Sequence, residues 1–270
     1  MKSKILSVPA ILTILLLCMA AAADETEKPA AEKSHDLLEN IKFRNLGPAV
    51  GGGRVTAVAG VPGQANIYYA GGAAGGVFKT IDGGLSWKPI FEKESSASIG
   101  AIAVAPSNPS LIWVGTGEAN PRNDMVTGHG VYFSPDAGAS WRFMGLDNVG
   151  QISTIVVHPT NPDVVFVAAL GRVWGSGPDR GVYRTIDGGK TWQKVLYVNE
   201  QTGASDLVMD PANPMVLFAG MWEVRRYPWM LLNGGNGSAI YRSTDGGSAW
   251  KKLSEGLPKP PLGRIGLAIA

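Results

Sequence analysis

The sequence predicts an all-β chain of the β-propeller class, built from four-stranded blades. Three observations carry that prediction. A nine-residue motif recurs, as KTIDGGLSW (79–87), FSPDAGASW (133–141), RTIDGGKTW (184–192) and RSTDGGSAW (242–250). Its copies follow one another at about fifty residues, the length of one blade. Glycine is abundant, 36 of 270 residues, as many tight reversals between short strands require.

Within each unit four strands are expected. The first is small and apolar, as in AIAVA (101–105). A Pro-x-Asn-Pro turn follows at 106–109, 159–162 and 211–214. The second strand reads LIWVG (111–115), VVFVA (164–168) or VLFAG (216–220). The third reads VYFS, VYRT or IYRS and ends at the repeated motif, and the fourth begins at the motif's Trp. A degenerate first unit opens at Val55, and RIGLAIA (264–270) reads as the first strand of a fifth. About four blades plus that strand leave a ring incomplete, since propellers close with roughly 4–8 blades. The chain therefore reads as an N-terminal fragment, whose missing C-terminal blades are an expected partner.

The repeated letters have a structural job. Gly84, Gly138, Gly189 and Gly247 supply positive φ in a tight reversal. Asp82, Asp136, Asp187 and Asp245 can accept backbone N–H bonds within it. Trp87, Trp141, Trp192 and Trp250 provide rings to wedge between blades. The competing reading, aspartates as acids or metal ligands, needs convergence at one place, which one copy per blade does not offer.

The N-terminus reads as a signal peptide over 1–23. Lys2 and Lys4 precede an apolar run from Ile5 to Met19, then Ala21, Ala22 and Ala23 before Asp24. An uncleaved membrane anchor is the alternative, and the run is short for one. A flexible leader (24–40) and the partial propeller (41–270) follow. The expected location is secreted or periplasmic, with no membrane contact after cleavage. Cys18 is the only cysteine and leaves with the signal. A net charge of +2 without a basic run argues against nucleic acid. No HExxH, GxSxG or P-loop is present, and His35, His129 and His158 are scattered, so no cofactor and no metal is expected.

Strand parity separates two faces. The Pro-x-Asn-Pro turns and the repeated motifs share one. The connections between second and third strands share the other, vary in chemistry, and are where function is expected. They run 71–76, 115–130, 169–181 and 219–238. The expected ligand-binding residues are Arg122, Trp174, Trp222, Arg225, Arg226 and Trp229 in these connections, with Arg54, Asp206 and Arg264 near the first-strand starts on the same face. Exposed Trp beside Arg suits sugars, carboxylates or peptides. The alternative is that these residues pair with one another and pack the loops. Glu118 and Asp206 are the candidate catalytic carboxylates.

The motif, Ser/Thr-x-Asp-x-Gly-x-Ser/Thr-Trp, resembles the Asp box, the bacterial neuraminidase repeat of sialidases, family 74 glycoside hydrolases and sortilin-type propellers. Residues 134–141 fit every position, whereas Ala249 replaces the hydroxyl residue before Trp250. In those families the box is a fold element away from the active site. FRNLGPAVGGGRVTAVAG (43–60) and YYAGGAAGGVFKT (68–80) resemble the first blade of family 74, whose members attack β-glucans with two carboxylates. Ala73 falls where that family keeps its catalytic base. GTGEANPRN (115–123), GRVWG (171–175), GMWEVRRYPW (220–229) and PLGRIG (261–266) resemble exported bacterial proteins described as BNR-repeat glycosyl hydrolases or sortilin N-terminal-domain proteins. The resemblance implies an exported binding module, sortilin-like, for a peptide, protein or carbohydrate. Its alternative is a glycoside hydrolase, family 74-like or sialidase-like, with part of its active site outside this chain.

Overall fold

The computed structural model describes residues 53–269. The signal peptide, the leader and the first residues of the expected propeller domain lie outside the described residues. Blade one is Val55–Val61 (β1), Gln64–Gly72 (β2), Gly76–Thr80 (β3) and Lys88–Pro89 (β4). Blade two is Ile99–Val104 (β5), Ile112–Thr116 (β6), Val131–Ser134 (β7) and Arg142–Phe143 (β8). Blade three is Ile152–Val157 (β9), Val165–Ala169 (β10), Gly181–Thr185 (β11) and Gln193–Leu196 (β12). Blade four is Thr202–Met209 (β13), Leu217–Arg226 (β14), Ala239–Ser243 (β16) and Lys251–Lys252 (β17), with Leu231–Asn233 (β15) added beside β14. Every pairing is antiparallel between neighbours in sequence, apart from β14–β16, which skips β15. These are β-propeller blades, and no helix among the described residues is long and apolar enough to cross a membrane.

Burial follows position in the blade. All five residues of β6 and of β10 are buried, because neighbouring blades cover both faces. The outermost strands β4, β8 and β17 are two residues long and carry Lys or Arg, which blunts a sheet edge. The core lies between blades. Tyr69 and Val77 of blade one share a cluster with Ile99 and Val114 of blade two. Trp113 and Ile152 join blades two and three, and Phe166 and Leu207 join three and four.

The inner strands carry a repeated device. Each first strand has a register shift, at Thr56, Gly100, Ser153 and Ser205. The Thr56 hydroxyl is within reach of Gly71 O in its own blade (3.1 Å) and Ile99 O in the next (2.6 Å). Ser153 does the same with Ala168 O (3.1 Å) and Ala204 O (2.8 Å), and Ser205 with Gly220 O (3.1 Å) and Ile265 O (2.9 Å). Side chains interlock at the same step. A Cβ on Gly71 would meet Ile99 at 2.5 Å, and one on Gly115 would meet Ile152 at 2.4 Å. Between blades three and four both partners are small, Ala168 and Ala204, in one core cluster.

Three expectations change. Residues 219–238 were expected as a loop, yet β14 continues to Arg226 and turns back as β15. Trp222 and Val224 alternate into a buried cluster, which sustains the extended strand. Residues 264–269 form no ladder, although Ile265 takes the place of an inner-strand residue against Ser205 and Gly220. The Leu267 N–H goes to the Asp206 carboxylate (2.8 Å), a side chain rather than a strand carbonyl. The Trp wedge holds fully at Trp141 and Trp192, whose Nε1 donates to Ile90 O and Met144 O of the preceding blade, both at 2.7 Å. Trp250 packs on the blade three–four cluster while donating to its own Gly247 O. Trp87 is 41% exposed and donates to its own Gly84 O, because no blade precedes it among the described residues.

Candidate functional site

The four repeated motifs are closed hydrogen-bond circuits. In the third copy the Thr185 hydroxyl donates to Asp187 Oδ1 (2.7 Å) and accepts from Gly189 N (2.9 Å). Asp187 Oδ1 also accepts from Thr191 N (2.9 Å), and Oδ2 accepts from the Thr191 hydroxyl (2.7 Å). Thr80, Ser134 and Ser243 repeat the first pair of bonds. These donors hold the Asp187 carboxyl down at about 2, and Asp82, Asp136 and Asp245 are likewise depressed. The Gly84, Gly138, Gly189 and Gly247 residues have φ of 98°, 90°, 86° and 81°. Each turn also donates a backbone N–H to the start of the second strand or the turn just before it, as in Gly188 N to Asp163 O at 3.0 Å. Both carboxylate oxygens are occupied in the first three copies, and in the fourth Asp245 Oδ1 alone takes three donors, so these aspartates build turns.

On the opposite face most polar candidates are paired. Glu118 is fully buried and held by both Arg54 Nε and Nη2. Arg54 also faces Asp124 (3.6 Å), which lies 3.9 Å from Arg122. Asp206 accepts from Thr154 (3.0 Å), Leu207 N (2.8 Å) and Leu267 N (2.8 Å). Both carboxylates are engaged by these donors. Arg264 donates to Asn120 Oδ1 (2.6 Å) and stacks over Trp222 at 5.7 Å. Burial lowers its pKa, and the charge of Asp206 partly offsets that. His129 pairs with Asp147 and stacks on Phe143, while His158 caps its own turn.

The expectation of an exposed ring at Trp222 is corrected. It is 2% exposed, packs with Ala119, Met125, Leu170 and Val173 from the loops of blades two and three, and donates to Asn233 Oδ1 (3.1 Å). An apolar cluster thus forms under the loops, because each is too long to solvate its own Leu, Val and Trp. Arg180 anchors it, 1% exposed, donating to Gln201 O, Val224 O, Arg172 O and Gly175 O at 2.8–3.1 Å. Burial pushes its pKa down to about 10, and the neighbouring Arg225 charge adds to the shift.

An aromatic platform on the β14–β15 hairpin reaches solvent. The Arg225 guanidinium lies 4.7 Å over the Tyr227 ring, and Tyr227 stacks on Trp229 at 5.7 Å, with Trp229 77% exposed. The Arg226 N–H donates to Val173 O (2.7 Å), which sets the segment bearing Trp174 alongside. Trp174 is 37% exposed. Tyr227 was not among the expected residues. Tyr227 and Trp229 lie in the turn that joins β14 to β15, closed by the Tyr227 N–H donating to Met230 O (2.8 Å), and Arg225 precedes them near the end of β14.

Blade order and circuit geometry define the class: an Asp-box repeat chain folded as β-propeller blades. The sequence model of the family described as "Sortilin, neurotensin receptor 3" (Sortilin-Vps10) matches residues 129–260. A probable oligoxyloglucan-reducing end-specific xyloglucanase of Neosartorya fischeri is 23% identical over 93% of this chain and 28% of that enzyme. A xyloglucanase of Paenibacillus sp is 23% identical over 84% of this chain and 23% of that enzyme. The crystal structure of an ancestral GH74 enzyme superposes with a TM-score of 0.59 and 23% identity, covering 76% of this chain and 26% of that one. The Niastella koreensis GH74 enzyme gives 0.55 and 20%, over 73% and 29%. The chain thus spans about a quarter of the length of these relatives.

Proposed function

We propose that the protein is an exported propeller module that binds a carbohydrate through the β14–β15 hairpin and the neighbouring 170–180 loop. The observation that carries this is the Arg225–Tyr227–Trp229 stack, whose outer ring, Trp229, is 77% in solvent. A large ring presented flat at a surface, fixed by a neighbour, offers an apolar platform at small entropic cost. Sugar rings have apolar faces that such platforms fit. The xyloglucanase names of the relatives put xyloglucan first in a ligand panel. Export rests on the 1–23 segment, and N-terminal sequencing of the mature protein at Asp24 tests it.

The hydrolase alternative has less support from this chain's own residues. Glu118 is buried in an ion pair, Asp206 is occupied by backbone donors, and Ala73 has no proton to take or give. The test is titration of the full chain with xyloglucan oligosaccharides and other glycans, beside Trp229→Ala and Tyr227→Phe. Weaker binding in Trp229→Ala with an unchanged melting curve is expected. Unchanged binding in that variant overturns the assignment of the platform. Glycan hydrolysis abolished by Glu118→Gln and Asp206→Asn would establish the hydrolase instead. Binding of peptides alone would establish a peptide-binding module.

A further inference from the structure

The same face holds three arginines without acceptors. The guanidinium groups of Arg172, Arg225 and Arg226 make no ion pair and no hydrogen bond among the described residues. The Nε atoms of Arg225 and Arg226 are buried with no partner, which is costly for a charged donor. They lie on adjoining segments. Arg226 N bonds to Val173 O, and the Arg180 guanidinium joins Arg172 O to Val224 O. Arg180 is a further buried cation here, and its pKa registers the Arg225 charge.

Nearby acids do not neutralise this group. Glu223 Oε2 is taken by Gly237 N (2.7 Å). Asp179 lines a cavity of about 240 Å³ with Asn148, Arg172 and Arg180, and forms no ion pair with either arginine. Like charges gathered beside unfilled donors favour an arriving anion, and the planar guanidinium fork fits a carboxylate or sulfate.

We propose that the platform takes an acidic oligosaccharide, with a sugar ring on Tyr227 and Trp229 and its carboxylate or sulfate on Arg225 and Arg172. This rests on the carbohydrate reading above and adds the charge of the ligand.

The experiment is calorimetric titration of the full chain with four probes and one control. The probes are oligogalacturonate, its fully methyl-esterified form, a sulfated galactan oligomer and neutral xyloglucan oligosaccharide. The control is an acidic peptide. At least one acidic glycan is expected to bind about tenfold or more tightly than the neutral ones, the size of one charge-assisted bond. Raising salt from about 0.05 M to 0.5 M erodes that advantage. Arg225→Gln and Arg172→Gln each reduce it with unchanged melting temperature, whereas Trp229→Ala weakens acidic and neutral ligands alike. Preference for uronate or for sulfate identifies the anion, and either supports the proposal. Equal affinity for oligogalacturonate, its ester and the sulfated oligomer overturns the acidic preference and leaves carbohydrate binding standing. Binding of the peptide alone, or of none of the glycans, overturns both.

Discussion

Gly100 tests how tightly the inner strands approach. It occupies the register-shift position filled elsewhere by Thr56, Ser153 and Ser205. A Cβ built there would lie 2.0 Å from Ile152 O in the next blade and 2.3 Å from Gly117 O in its own. Both obstacles are backbone oxygens, in a segment where Ile152 N already donates to Gly117 O (3.2 Å). No rotamer change relieves such a clash, so blades two and three must separate. Overpacking typically costs about 1–3 kcal/mol, and a backbone obstacle places Gly100→Ala at the upper end, about 3 kcal/mol. For a domain of this size that lowers the melting temperature by roughly 6–12 °C. The assay is calorimetry of the full chain, with Gly175→Ala as control, since a Cβ at Gly175 meets nothing within 4 Å. A shift below about 1 °C for Gly100→Ala would refute the close approach of these strands.

Four further outcomes follow from the same geometry. Trp222→Ala, at a ring 2% exposed, is expected to cost roughly 3–5 kcal/mol, whereas Trp229→Ala stays within about 0.5 kcal/mol; urea unfolding separates them. Arg180→Met leaves four carbonyls without their donor and is expected to cost about 3 kcal/mol or more, read as proteolytic cleavage within 170–180. Asp187 has a folded pKa of about 2 against an ordinary 3.8, so its contribution is complete above about pH 4 and is lost as pH falls toward 2. Urea midpoints measured from pH 5 to 2 should fall, and Asp187→Asn should flatten part of that slope. Ala249→Thr restores the hydroxyl that Thr191 supplies in the third copy and is expected to raise the melting temperature slightly, by roughly 1–3 °C.

Much of the fold was legible as letters. The Asp-box turns, the positive-φ glycines and the strand order were read from period and residue type. Each depends on contacts within a few residues, as between Thr185, Asp187, Gly189 and Thr191. The candidate site was legible only as a set of residue types on one face. Trp222 and Trp229 stand seven positions apart with the same side chain. One is sealed beneath loops of two other blades, and the other stands in water. Glu118 looked like a free acid until Arg54, sixty-four residues earlier, closed on it.

The sequence by itself determined the repeat, the turn chemistry and which face carries variable loops, because these rest on local backbone geometry and strand parity. Only the tertiary structure decided which side chains on that face are spent on one another and which remain available. Pairing across blades depends on where distant segments come to lie. That is why Glu118, Asp206 and Arg180 find partners in distant segments, while Arg172 and Arg225 have no acceptor among the described residues and Trp229 stands in solvent.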